Sequence, residues 1–172
     1  MSSRRQPFSA PEALRTAVAN IGLAREAERI FLELPALRNV ALQYCRYVSP
    51  LVPLEDGQCL LEATLRDAIA GYSEAAVRDP ERAMRTFIQA LARSVGELCR
   101  VRLSVQTRDG SWLIWTYDEP LIEWMPRHGR KALQIRRRDK PVAKGPVLVK
   151  MLGYICSVRD LQVAHLDLAT LS

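Results

Sequence analysis

The pattern of the chain changes at residues 100–117, which read RVRLSVQTRDGSWLIWTY. Apolar and polar residues alternate over positions 101–106, and this period of two is typical of a strand with one buried face. The pair Asp109–Gly110 supplies the positive φ of a tight primed turn, so a hairpin follows. The return strand, Trp112–Tyr117, is apolar on both faces, which predicts a central strand or one that is covered on both sides.

Upstream of this hairpin, apolar residues recur every three or four positions, as they do in amphipathic helices. Ser9 begins the first helix as its N-cap, and Gly22 either bends that helix or divides it in two. The next helix covers Leu37–Val48, a third runs over about 58–76, and a fourth begins at Asp79 with a proline at its first position. The short connections predict that these four helices pack as antiparallel neighbours.

Downstream of the hairpin the pattern is less regular. A third strand is predicted at Ala132–Arg138, with its even-numbered residues on one face. The apolar stretch 147–158 is ambiguous between strand and helix, and the alternation over 161–168 indicates a last strand.

The fold class that follows is α+β, with an N-terminal four-helix region packed on a small, mostly antiparallel C-terminal sheet. The chain length of 172 residues predicts a single domain over residues 1–172. We divide it into a flexible N-terminus at 1–9, a helical half at 10–99 and a β-rich basic half at 100–172. The hydrophobic content of 48% excludes disorder throughout, and no apolar run is long enough to predict a membrane span.

The positive charge is distributed unevenly. The chain has 25 Lys and Arg against 19 Asp and Glu, but residues 1–99 hold 12 of each sign, so the whole excess of six lies in 100–172. Segment 127–150 has nine cations and one acid, Asp139. The nine are Arg127, Arg130, Lys131, Arg136, Arg137, Arg138, Lys140, Lys144 and Lys150. Such a concentration favours a polyanionic partner, or else it is a solvated loop that its charges keep soluble.

Aromatic residues lie just before this basic segment. Trp115 and Trp124 are candidates to stack on nucleic-acid bases while the cations neutralise phosphates. The alternative is that at least two of the three Trp residues form the core beneath the helices. Trp112 and Trp115 point to opposite faces of a strand, so one packs under the helices and the other is exposed or covered by a partner.

No catalytic or metal site is predicted. The four cysteines lie more than ten residues apart, so none has zinc-ligand spacing, and we interpret them as small buried hydrophobes. Ser104, Ser111 and Ser157 lack the sequence context of a nucleophile, and no Gly-rich phosphate loop is present. We therefore expect a protein that is not an enzyme and has no cofactor.

The sequence favours a non-enzymatic nucleic-acid-binding protein, with RNA preferred to DNA, which contacts the phosphate backbone through segment 127–150. It would be an accessory or structural subunit of a larger ribonucleoprotein complex. The alternative is a protein–protein adaptor or assembly subunit that does not touch nucleic acid. The cysteine spacing indicates no disulfide framework, and this and the absence of a secretory signal favour an intracellular reducing compartment, either the cytoplasm or an organellar matrix.

Overall fold

The computed structural model describes residues 9–48, 52, 54, 56–128, 133–141 and 145–166. The helices are α1 (Ala10–Asn20), α2 (Ala24–Glu33), α3 (Pro35–Tyr47), α4 (Leu60–Ala76), α5 (Pro80–Leu98), α6 (Leu121–His128), α7 (Gly145–Ile155) and α8 (Val158–Val163). The strands are β1 (Val101–Gln106), β2 (Trp112–Ile114) and β3 (Leu133–Arg137). The predicted α+β class is confirmed, although five helices rather than four precede the sheet in this part of the chain.

The helix termini follow the capping residues of the sequence. Ser9 Oγ accepts the Glu12 N–H at 3.4 Å, and the Asp79 carboxylate accepts the N–H groups of Glu81 and Arg82 at 3.0 and 3.1 Å. Gly22 has a φ of +73°, and this left-handed residue divides α1 from α2. The two-helix alternative for the first helical stretch is therefore confirmed.

Helix α3 lies at the centre of the helical layer and contacts α1, α2, α5, α6 and α7. Three hydroxyls tie it to its neighbours inside the core: Ser94 on α5 donates to Tyr44 on α3 at 2.6 Å, and Tyr44 donates to Thr64 on α4 at 3.1 Å. All three side chains are buried, and burial raises the pKa of Tyr44 well above its usual value. The bonds therefore fix the relative positions of three helices.

Helices α4 and α5 form a hairpin with a close approach at Gly71. A Cβ atom at this position would lie 2.8 Å from the Thr86 Cγ2 atom. The Thr86 side chain cannot turn away freely, because its hydroxyl donates to the Arg82 carbonyl at 2.9 Å. The glycine therefore sets how closely the two helices pack.

We expect Gly71→Ala to lower the free energy of unfolding by about 1 kcal/mol, because overpacking outweighs the better helix propensity of alanine. Urea denaturation followed by circular dichroism measures the change. The double variant Gly71→Ala/Thr86→Ala removes the clash and should recover the loss relative to Thr86→Ala alone. A gain of stability in Gly71→Ala would contradict the close approach.

The sheet is antiparallel, with the strand order β2-β1-β3. The prediction that the return strand is central or covered on both sides is wrong, because β1 takes the centre and β2 is an edge strand whose three side chains are exposed. After Ile114, only Trp115 continues the pairing, through a bond from its N–H to the Leu103 carbonyl at 2.9 Å. The chain then turns away at Tyr117, whose φ is +64°. Some of the apolar side chains that suggested a central strand therefore belong to the segment after Ile114, which leaves the sheet.

The hairpin turn also differs from the primed turn expected from Asp109–Gly110. The Gly110 N–H donates to the Thr107 carbonyl at 3.1 Å, and Gly110, with a φ of +89°, is the one residue of the turn in the left-handed region. This is an ordinary turn followed by a left-handed glycine. The Asp109 carboxylate accepts bonds from the Thr107 hydroxyl and from Ser111, which stabilise this geometry and lower the pKa of Asp109 to about 2.

The predicted last strand over 161–168 is wrong for the residues that the structure describes, because Val158–Val163 form α8. Ser157 and Asp160 make a reciprocal capping box there: the Asp160 N–H donates to Ser157 Oγ at 3.1 Å, and the Ser157 N–H donates to Asp160 Oδ2 at 2.8 Å. The ambiguous stretch before it is helical as far as Ile155. No helix in the described ranges has both the length and the apolarity to cross a membrane.

Candidate nucleic-acid interface

The two faces of the sheet have different chemistry. Val101, Leu103 and Val105 on the inner face are fully buried and belong to the same core as the helices. The residues between them point to the opposite side, because successive side chains of a strand alternate. On that side the register sets Arg102 opposite Arg136 and Ser104 opposite both Gln134 and Ile114.

We call this second surface the outer sheet face. It consists of alternate residues of the three strands together with two cations that follow β3: Arg102, Ser104, Gln106, Trp112, Ile114, Gln134, Arg136, Arg138 and Lys140. The predicted face of the third strand is confirmed for Gln134 and Arg136. The positive charges lie at one end of the face, and Trp112 lies at the other.

A surface depression of about 450 Å³ opens at the positive end. We call it the basic recess, and it is lined by Arg102, Arg138, Asp139, Lys140 and Pro141. Three cations and one carboxylate give it a net positive charge. Two hydrogen bonds support its rim: the Arg138 N–H donates to the Arg100 carbonyl at 2.9 Å, and the Arg100 guanidinium donates to the Asp139 carbonyl at 3.0 Å.

The cations of the outer sheet face have no carboxylate partner among the residues that the structure describes. Within the described part of the chain, Arg102, Arg136, Arg138 and Lys140 make no ion pair. Arg102 and Arg136 are direct cross-strand partners, and like charges in that relation destabilise a sheet. An anion bound between them would remove this repulsion, so the arrangement is suited to a polyanion.

Three other cations of the predicted segment already have carboxylate partners. Arg127 pairs with Glu119, Lys150 with Asp118 at 3.2 Å, and the half-buried Arg137 with Glu97. Because its partner on β1 is Val101, Arg137 points to the inner side of the sheet, away from Arg136. Segment 127–150 is therefore not one continuous positive surface.

Of the remaining predicted site residues, Arg130, Lys131 and Lys144 lie outside the described residues. Arg136, Arg138 and Lys140 are the predicted cations that the structure brings together. Their neighbour Arg102 was not among the predicted site residues, although its polar position in the alternation of β1 was recognisable. Only the pairing of β1 with β3 shows that it joins them.

The aromatic residues divide between core and surface. Trp115 is 2% exposed and donates from Nε1 to the Glu119 carbonyl at 3.0 Å, and Trp124 is 4% exposed and packs against His128. Neither ring is open to stacking by a base. Trp112 is 44% exposed on the outer sheet face, so the prediction that Trp112 and Trp115 take opposite sides is confirmed. Of the three Trp residues, Trp112 is thus the one whose ring is accessible.

The thiols of the four cysteines all have a raised pKa. Burial raises the pKa of the Cys45 and Cys156 thiols to about 12 and that of Cys99 to about 11, and it also raises the pKa of the half-buried Cys59. None of the four forms a disulfide with another described residue, and the raised pKa values keep these thiols protonated at neutral pH. The described residues contain no cluster of three or more His, Cys, Asp or Glu with the geometry to hold a metal ion.

A scan against protein-family models, a search of curated proteins and a search of solved structures each find no match to this chain.

Proposed function

We propose that this chain binds nucleic acid, RNA in preference to DNA, as a non-enzymatic accessory or structural subunit of a larger ribonucleoprotein complex. The observation that carries the proposal is the outer sheet face, on which Trp112 is exposed and Arg102, Arg136 and Arg138 form no ion pair with any carboxylate that the structure describes. Guanidinium groups bind phosphates through two parallel hydrogen bonds, and they do so better than ammonium groups.

The preference for RNA follows from the shape of this surface. A sheet face is a platform on which unstacked bases can lie flat, whereas sequence reading in duplex DNA needs an element that enters a groove. Gln106 and Gln134 add amide donors and acceptors to the platform, and such groups can bond a 2′-hydroxyl or a base edge.

The salt dependence of binding tests the proposal. Fluorescence anisotropy of a labelled single-stranded RNA measures the affinity at increasing salt concentration. Contacts from Arg102, Arg136, Arg138 and Lys140 predict a slope of log K against log salt of about −2.8, which is a loss of roughly 50-fold between about 50 and 200 mM. Absence of binding at low salt, or an affinity that does not respond to salt, would discard the proposal.

Charge variants locate the contacts. We expect Arg102→Gln/Arg136→Gln to reduce the magnitude of the slope by about 1.4. The matched control, Arg127→Gln/Lys150→Gln, removes the same net charge but changes two residues that pair with the protein's own carboxylates, and its slope should stay near that of the wild type. An equal reduction of the slope in both variants would mean that net charge, not this face, governs binding.

A second candidate function is that of a protein–protein adaptor, favoured by the chemistry of β2. This edge strand consists of Trp112, Leu113 and Ile114, and all three side chains are exposed. An exposed apolar edge can take an additional strand from a partner. Size-exclusion chromatography with light scattering distinguishes the two functions: a monomer that binds RNA favours the first, and self-association that a partner protein relieves favours the second.

A further inference from the structure

The outer sheet face has two separate binding chemistries. Its charge lies at the basic recess, beside Arg102 and Arg138, and its exposed ring, Trp112, lies at the far end of the neighbouring hairpin. Between them are the uncharged side chains of Ser104, Ile114 and Gln134. A polyanion that was bound by charge alone would contact the basic recess and would not need to contact Trp112.

The distance between the two ends follows from the register. The Arg138 N–H bonds to the carbonyl of Arg100, the residue just before β1, and Trp112 is opposite Gln106 at the far end of β1. The two side chains therefore lie six residues apart along the sheet and two strands apart across it. With about 3.3 Å per residue along the strand and about 4.8 Å between strands, the separation is about 22 Å.

We infer that this face takes a single-stranded RNA segment of about four nucleotides, with a phosphate in the basic recess and an unpaired base stacked on Trp112. The inference rests on the proposed function and adds to it the form of nucleic acid that is recognised. Single-strand-binding folds cover about 4–16 nucleotides, and the short span of this face corresponds to the lower end of that range.

The exposed ring of Trp112 is the feature that favours a single strand over a duplex. In a duplex the base faces are stacked on one another, and the phosphates lie on the outside. A duplex can therefore meet the recess but cannot offer a base face to Trp112. An unpaired strand satisfies both ends, and Ile114, which is also exposed, lengthens the apolar surface beside the ring.

The two chemistries predict two separable effects of substitution. Trp112→Ala should weaken binding of a single-stranded RNA at least about fivefold and leave the salt slope unchanged, because stacking releases no counterions. Arg138→Gln should weaken binding and also reduce the magnitude of the slope by about 0.7. Trp112→Phe keeps a ring and should restore most of the affinity that Trp112→Ala loses.

The decisive experiment compares one RNA of about 12 nucleotides as a single strand and as a blunt duplex, with wild type and Trp112→Ala, by anisotropy. We expect the wild type to prefer the single strand by about fivefold or more and the variant to lose that preference without losing duplex affinity. Single strands of increasing length should gain affinity steeply up to about four nucleotides. Thermal unfolding confirms that the variant is folded.

The outcomes separate this inference from the function on which it rests. Equal affinity for single strand and duplex, with the expected salt slope, would overturn the inference and leave nucleic-acid binding intact. An unchanged affinity of Trp112→Ala would overturn it in the same way. If polyglutamate displaces the labelled RNA as effectively as unlabelled RNA does, the face recognises charge alone and the inference fails. If neither RNA nor DNA binds in any form, the proposed function itself fails.

Discussion

Trp115→Ala lowers the free energy of unfolding by about 3–5 kcal/mol, the usual cost of removing a buried aromatic side chain. Trp115 is buried between the sheet and the helices, its ring lies 4.5 Å from that of Tyr117, and its indole N–H is bonded to the Glu119 carbonyl. The truncation leaves a cavity and an unpaired carbonyl. Thermal unfolding should show a fall in Tm of roughly 10 °C or more.

Trp112→Ala is the matched control for this prediction. It removes the same side chain from the same hairpin, but the ring is 44% exposed, so we expect a change within about 1 kcal/mol. Similar losses in both variants would contradict the register, because a shift of one residue would exchange the buried and exposed sides of the strand. The pair thus tests the assignment of Trp112 to the surface independently of any ligand.

Tyr44→Phe lowers the free energy of unfolding by about 2 kcal/mol, because it removes two hydrogen bonds between buried hydroxyls. Ser94 keeps its bond to the Leu91 carbonyl at 2.7 Å. Ser94 loses the acceptor at 2.6 Å and Thr64 loses the donor at 3.1 Å, while the volume of the core stays nearly the same. Urea denaturation measures the change. Because the groups act as one network, the losses in Tyr44→Phe and Ser94→Ala should not add in the double variant.

The control for Tyr44→Phe is Tyr154→Phe, on the exposed ring that stacks on Tyr47. This substitution keeps the stacked ring and removes a hydroxyl that water already solvates, so the stability should stay within about 0.5 kcal/mol of the wild type. A loss below about 0.5 kcal/mol in Tyr44→Phe as well would mean that the buried hydroxyls contribute little to joining α3, α4 and α5.

Local signals were sufficient for the helical half of the fold. Ser9, Gly22 and Asp79 mark helix boundaries through hydrogen bonds and backbone angles within a few residues, and the structure has boundaries at these places. The alternation over 101–106 likewise predicted β1. Where the prediction failed, at 161–168, a capping box between Ser157 and Asp160 outweighed an alternation of apolar residues.

The candidate site was only partly predictable. Its cations Arg136, Arg138 and Lys140 were recognised from charge density, but so were Arg127, Arg137 and Lys150, which form ion pairs with acids outside the basic segment. For Arg137 the acid is Glu97 on α5, forty residues away. Charge density along a chain gives no information about which carboxylates tertiary packing brings near.

The amino-acid sequence by itself determined the α+β class, the helix boundaries with capping residues, and the opposite orientation of Trp112 and Trp115, because each depends on periodicity or on bonds between near neighbours. Only the tertiary structure decided that β1 is the central strand and that Arg102 joins Arg136 on one open face. The physical reason is that strand order and cross-strand register depend on contacts between residues that are far apart in the chain.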